Sequence, residues 1–277
     1  RPISIIVRGA RVHMVRDRSG AFDLSVGESN GKRPPPVLGE GVNFGSLLGD
    51  FEKLFDIPLL SALKQIRSTG TEMVLDDQLT GRVWVLEDGK LNFSNAPKTL
   101  SGTVAFTLDN GAGQPATAVF GWRKKKGAEI SKFSTQFSDL QTADVASQVA
   151  VFNWLKVLDA PISGSVTLDI LSNGDFGNMN GVLELGAGRI RQSPKTAPVR
   201  FLGAKVYLSY DQKLEKFTFN QITLKTGAGS IQGEGQAYLS NRVDRTVGAL
   251  IGQFQFTKLR LDPPGVFETP VKFEKLL

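Results

Sequence analysis

The chain contains no cysteine. Disulfides, thiolate nucleophiles and cysteine metal sites are therefore excluded together. It contains one histidine, His13, and a lone imidazole without cysteine cannot build a histidine-rich metal centre. His13 sits among Val12, Met14 and Val15 and reads as a strand-face residue. No apolar run reaches the roughly 18 residues that a spanning helix needs, and no signal-peptide pattern opens the sequence. It starts directly in a strand-like run, Ile3-Ser4-Ile5-Ile6-Val7. The expectation is a processed chain or an excised piece of a larger protein. Tryptophan and tyrosine are scarce, at 3 each against 18 phenylalanines. Phenylalanine has no polar handle, so this choice favours dry surfaces.

What remains is globular in composition: 40% of the 277 residues are hydrophobic and 22% charged, enough for a sizeable core. The net charge is +6, which suits an anionic surface or a merely soluble basic protein. No nucleic-acid motif is present, and no nucleic-acid partner is expected.

The dominant period is two. Val104, Phe106 and Leu108 alternate with Thr103, Ala105 and Thr107. Val166, Leu168 and Ile170 alternate with Ser165, Thr167 and Asp169. The same holds for Val206, Leu208 and Tyr210, for Phe217 and Phe219, and for Phe254 and Phe256. Strict alternation marks strands with one apolar face. Asp88-Gly89, Asn110-Gly111, Asn173-Gly174 and Asn180-Gly181 read as hairpin turns, because both residues of each pair tolerate positive φ. Together these predict a mainly β fold: a long antiparallel meander, one continuous section over 1–277. Two helical insertions are expected, at about 46–65 and 142–158, and an irregular loop rich in Gly and Pro at 27–45.

Catalytic motifs fail on inspection. Gly27-Glu28-Ser29-Asn30-Gly31 matches a nucleophile elbow, but Pro34-Pro35-Pro36 prevents the helix that must follow, and the only histidine lies upstream. The Gly-x-Gly pairs at Gly39/Gly41, Gly186/Gly188, Gly227/Gly229 and Gly233/Gly235 lack the third glycine of a dinucleotide fingerprint and read as bulges or bends. Asp76-Asp77 and Glu87-Asp88 read as solvated carboxylates near turns. No catalytic residue, metal or cofactor is expected, and the chain is not expected to be an enzyme. Arg123-Lys124-Lys125-Lys126 reads as a hairpin tip, either solvated or in contact with anionic lipid head groups.

Three segments are distinctive: Phe152-Asn153-Trp154-Leu155-Lys156-Val157-Leu158-Asp159-Ala160-Pro161-Ile162-Ser163-Gly164, Gly181-Val182-Leu183-Glu184-Leu185-Gly186-Ala187-Gly188-Arg189-Ile190, and Gly248-Ala249-Leu250-Ile251-Gly252-Gln253-Phe254-Gln255-Phe256. With Asp56-Ile57-Pro58-Leu59-Leu60 and Gly81-Arg82-Val83-Trp84, the sequence resembles the AsmA-like superfamily, and within it the YhdP-like proteins of proteobacteria. The resemblance implies a periplasmic section of a protein anchored in the inner membrane by a segment outside this chain. It also implies neighbouring groove sections and a curved sheet whose open apolar groove carries phospholipid between inner and outer membrane.

Under that reading the lipid-facing residues are Val104, Phe106, Leu108, Val166, Leu168, Ile170, Val206, Leu208, Phe217, Phe219, Phe254 and Phe256, with phospholipid acyl chains as partner. The alternation suits a closed sandwich equally well, and the groove rests on the resemblance. The competing readings are an envelope scaffold that docks partners on loops or edge strands and a carbohydrate-active β enzyme. The enzyme would need a converging acidic pair, for which no residues speak.

Overall fold

The computed structural model describes residues 3–18, 22–26, 62–78, 80–108, 115–148, 155–172, 176–191, 197–240 and 249–257. The protein is mainly β. It divides into two compact units, Arg1–Phe137 with Thr167–Gly177, and Ser138–Val166 with Asn178–Leu277.

The first unit holds β1 (Ser4–Arg8), β2 (Arg11–Arg16), β3 (Phe22–Val26), β4 (Gln65–Asp77), β5 (Arg82–Asn95), β6 (Thr99–Leu108) and β7 (Ala116–Lys125). Their hydrogen-bonded order is β3-β2-β4-β5-β6-β7. β4 through β7 form the expected antiparallel meander. The far edge of β4 departs from it. β1 pairs with residues 65–69 of β4 and β2 with residues 72–77, both in parallel, so the sheet is mixed. One long strand thus receives two short ones end to end. Gly9 and Gly70 lie between the two pairings with φ of 64° and 63°, a conformation open to glycine at no steric cost.

The second unit holds helix α1 (Thr142–Gln148), β9 (Leu158–Asp159), β12 (Gly188–Ile190), β13 (Val199–Phe201), β14 (Gly203–Asp211), β15 (Lys216–Thr226), β16 (Gly229–Ser240) and β17 (Ala249–Thr257). β8 (Ile130–Gln141), β10 (Pro161–Leu171) and β11 (Phe176–Leu185) contribute residues to both units. The order β17-β16-β15-β14-β11 is antiparallel throughout. β13-β12-β9 form a separate small sheet. Within neither unit do the outermost described strands pair to close a barrel.

Of the helical expectation at 142–158, residues 142–148 form α1 and 155–157 a single 3₁₀ turn, 149–154 lie outside the described residues, and Leu158 and Asp159 already belong to β9. The Thr142 hydroxyl donates to the Leu158 carbonyl at 2.6 Å, tying the helix start to that strand. The expected helix at 46–65 lies outside the described residues except for its end, where Leu63 is buried and Gln65 begins β4. The loop at 27–45, Ser29, and the pairs Asn110-Gly111 and Asn173-Gly174 also lie outside them.

Two expected turns are not turns. Asp88-Gly89 lies inside β5 and Asn180-Gly181 inside β11. The positive φ that Asp88 adopts, 51°, is absorbed by a bulge, where the β5 register slips between Glu87 and Lys90. A Cβ on Gly89 would stand 2.6 Å from the Thr71 carbonyl oxygen, so the glycine there answers to close backbone approach. Gly181 leaves room for Val166, whose Cγ2 would lie 3.2 Å from an added Cβ.

Candidate apolar site

Residues paired across a sheet share one face, so register alone assembles the surfaces. In the first unit Val12, Met73, Leu86, Leu108 and Ala116 fall in one row, and Ser68, Leu91, Val104 and Phe120 in another. A third row, Ile66, Phe93, Gly102 and Trp122, adjoins them. Here Phe93 stacks on Trp122 at 6.0 Å between ring centroids, and with Leu100 the two make a buried cluster. Phe106, Phe120 and Phe133 continue as a tilted ladder at 5.6 and 5.8 Å.

Between these rows lies an open pocket of about 210 Å³. Val7, Val12, Met73, Leu86, Leu91, Val104 and Phe106 line it, with Ser68, Thr71 and Lys90. Its space has a sequence cause: Ala10, Gly89 and Ala105 also line it, and small residues among large ones leave volume unfilled. Of the expected lipid-facing residues in β6, Val104 and Phe106 are half-buried and line the pocket, whereas Leu108 is buried beside it.

The second unit presents three rows across β11, β14, β15, β16 and β17. They are Leu183-Val206-Ile222-Gly233-Phe256, Gly181-Leu208-Phe219-Gly235-Phe254 and Met179-Tyr210-Phe217-Ala237-Gly252. Tyr210, Phe217, Phe219 and Phe254 form an aromatic stripe with ring spacings of 4.7, 6.2 and 5.4 Å. The rings of Phe254 and Phe256 lie over Gly235 and Gly233, covering backbone that a side chain would otherwise shield. This face is largely closed: Val206, Leu208, Phe217 and Phe219 are buried, Phe254 is half-buried, and Phe256 is 39% exposed.

The β10 set shares one strand face by alternation. Val166 and Ile170 are buried and Leu168 is half-buried. Val166 lies beside Gly181 and so joins the Leu208–Phe219 row.

The opposite face of the second unit is polar. Lys205 donates to Glu184 at 2.6 Å and its ammonium lies 5.3 Å from the Tyr207 ring centroid. The hydrogen bond to Glu184, then that to Tyr207, raises the Lys205 pKa above its ordinary value.

The carboxylates taken for solvated turn residues divide. Glu87 and Asp88 are exposed, but Asp77 is fully buried. Burying a charge requires a partner, and Arg16 supplies it with two hydrogen bonds, at 2.8 and 2.6 Å. The Thr80 hydroxyl adds a third at 2.6 Å. The basic run ends β7 and enters a tight turn, with Gly127 at φ 75° and the Ala128 amide bonded to the Lys125 carbonyl at 3.0 Å. Arg123, Lys125 and Lys126 are exposed and Lys124 half-buried. His13 sits half-buried on β2, on a strand as expected.

Comparison with protein-family models, curated proteins and solved structures finds no match to this chain. No helix among the described residues is long and apolar enough to cross a membrane.

Proposed function

We propose that this chain binds phospholipid acyl chains on the apolar face of its first unit, as a periplasmic section of an AsmA- or YhdP-like protein held at the inner membrane by a segment outside it. In this reading it conducts lipid between the two membranes, beside neighbouring groove sections, without chemistry of its own. The observation that carries the reading is the pocket between β1, β2, β4, β5 and β6, open and lined by Val7, Val12, Met73, Leu91, Val104 and Phe106. Apolar walls hold an alkyl chain by area alone, about 0.8 kcal/mol per buried methylene, and the Ser68 and Thr71 hydroxyls in the lining are hydrogen-bonded to each other.

The buried stripe of the second unit favours a second reading. Leu208, Phe217 and Phe219 are closed off, as in a scaffold whose sheet serves partners rather than lipid. Native mass spectrometry of gently purified protein separates the two. Phospholipid released from the wild type, and depleted by a polar substitution at Phe106, supports the conduit. Protein that is free of lipid under the mildest extraction leaves the scaffold.

A further inference from the structure

The basic run is larger than the sequence displays, because the sheet brings lysines from other turns to the same end of the first unit. The Lys126 amide donates to the Lys98 carbonyl at 3.1 Å, which sets the β5–β6 turn beside the β7–β8 turn. The Asn95 amide donates to the Lys64 carbonyl at 2.8 Å, which places the approach to β4 at that same end. Thr99 pairs with Lys125 and Leu100 with Lys124. Strands lie about 4.8 Å apart, so Lys64, Lys98, Lys124, Lys125 and Lys126 fall within a few strand widths. Lys64, Lys98, Lys125 and Lys126 are exposed. The carboxylate in the β7–β8 turn is the exposed Glu129. On the adjoining strands Asp169 is held by Lys132. Like charges gathered this closely repel one another, and that repulsion is relieved when an anionic surface covers them.

We propose that this end of the first unit docks on the surface of an anionic phospholipid bilayer. Lysine favours this over nucleic acid. It is a flexible, strongly hydrated point charge suited to a diffuse field of head groups, whereas nucleic-acid recognition leans on arginine forks and aromatic stacking. Arg123 is the arginine of the run, and no aromatic residue stands in either turn, at 96–98 or 126–129. The proposal rests on charge and topology, not on the acyl-chain reading, and stands if that reading falls.

The test is co-sedimentation of the whole chain with vesicles of phosphatidylglycerol mixed into phosphatidylcholine, against pure phosphatidylcholine. Binding is expected only to the anionic vesicles, weakening as salt rises. Each lysine at an anionic membrane contributes about fivefold in affinity, so losing three costs about a hundredfold, and Lys98→Glu/Lys125→Glu/Lys126→Glu, which also adds negative charge, should bind at least that much more weakly. Its control is Lys156→Glu/Lys213→Glu/Lys225→Glu, equal in net charge and exposed in the second unit, which should keep near-wild-type binding. Equal losses in the two variants would reduce the effect to net charge and overturn the proposal. So would a wild type that ignores anionic vesicles, or one that binds a single-stranded oligonucleotide through the same lysines in preference to them. Lipid retained in native spectra of the Lys98/Lys125/Lys126 variant would show the acyl-chain site intact while docking is lost; vesicle binding by a wild type free of lipid would keep docking and remove the conduit.

Discussion

Arg16 and Asp77 stand opposite one another in the parallel β2–β4 pair, joined by two hydrogen bonds, with the Asp77 side chain fully buried. The two residues lie 61 positions apart in sequence. Removing the guanidinium alone leaves a carboxylate in a site that excludes water. Arg16→Ala should therefore lower stability by about 3–5 kcal/mol, the usual cost of breaking a buried pair from one side. Replacing both, as Arg16→Met/Asp77→Leu, should recover most of that loss. Urea unfolding of the single and double variants checks this; a double variant as weak as Arg16→Ala would contradict it.

The β5 bulge makes a second prediction. A methyl group on Gly89 would meet the Thr71 carbonyl at 2.6 Å and the Thr71 Cβ at 3.0 Å, and neither is the free end of a flexible side chain. Gly89→Ala must push β5 from β4 and is expected to cost about 1–3 kcal/mol, as overpacked sites do. By contrast Gly227, where an added Cβ meets nothing within 4 Å and no positive φ is needed, should accept Ala within about 0.5 kcal/mol, as surface sites do. Thermal unfolding of the two variants gives the comparison.

The strand character of this chain was legible because alternation is local: Val104-Phe106-Leu108 and Phe217-Phe219 need only their own neighbours to declare a face. What the strands pair with was not. β1 and β2 each pair with residues of β4 that lie 61 positions further along the chain, and no period marks a parallel partner that distant. Asp77 looked like a solvated turn residue because its partner is invisible until register is known. The same blindness hid Lys98 and Lys64 from the run at 123–126. Asp88-Gly89 misled for a different reason: positive φ is a backbone demand, and a bulge inside a strand meets it as well as a turn does. Which apolar residues are closed off and which face open space also depends on what covers them, so Val104 and Leu208 look alike in sequence and differ in burial.

Lys205 supplies a prediction about pH. Its pKa is raised in the fold, chiefly by the hydrogen bond to Glu184. A raised lysine pKa contributes stability that is fully present below the unfolded value, about 10.4, and is lost as pH climbs through the folded value. The stability difference between wild type and Lys205→Met should therefore hold constant from pH 6 to pH 9 and shrink only in strong base. Urea midpoints from pH 6 into strong base test the sign; a difference that grows with pH would contradict it.

Phe106 and Leu208 separate an apolar surface from an apolar core. Leu208 is 3% exposed, between buried Phe219 in its own row and buried Val206 in the neighbouring one. An aspartate there is buried without a partner, and Leu208→Asp should unfold the second unit. Phe106 is half-buried and lines an open pocket, so an aspartate at that position can turn toward water when no lipid is present. If acyl chains occupy the pocket, the same charge opposes them, because its desolvation must then be repaid by the alkyl contacts. Phe106→Asp is thus expected to strip co-purifying phospholipid while shifting the melting temperature far less than Leu208→Asp does. The paired measurement is lipid per protein by native mass spectrometry and melting by circular dichroism. A Phe106→Asp protein that melts as early as Leu208→Asp makes the pocket part of a packed core. One that stays folded and keeps its full complement of lipid places the lipid elsewhere.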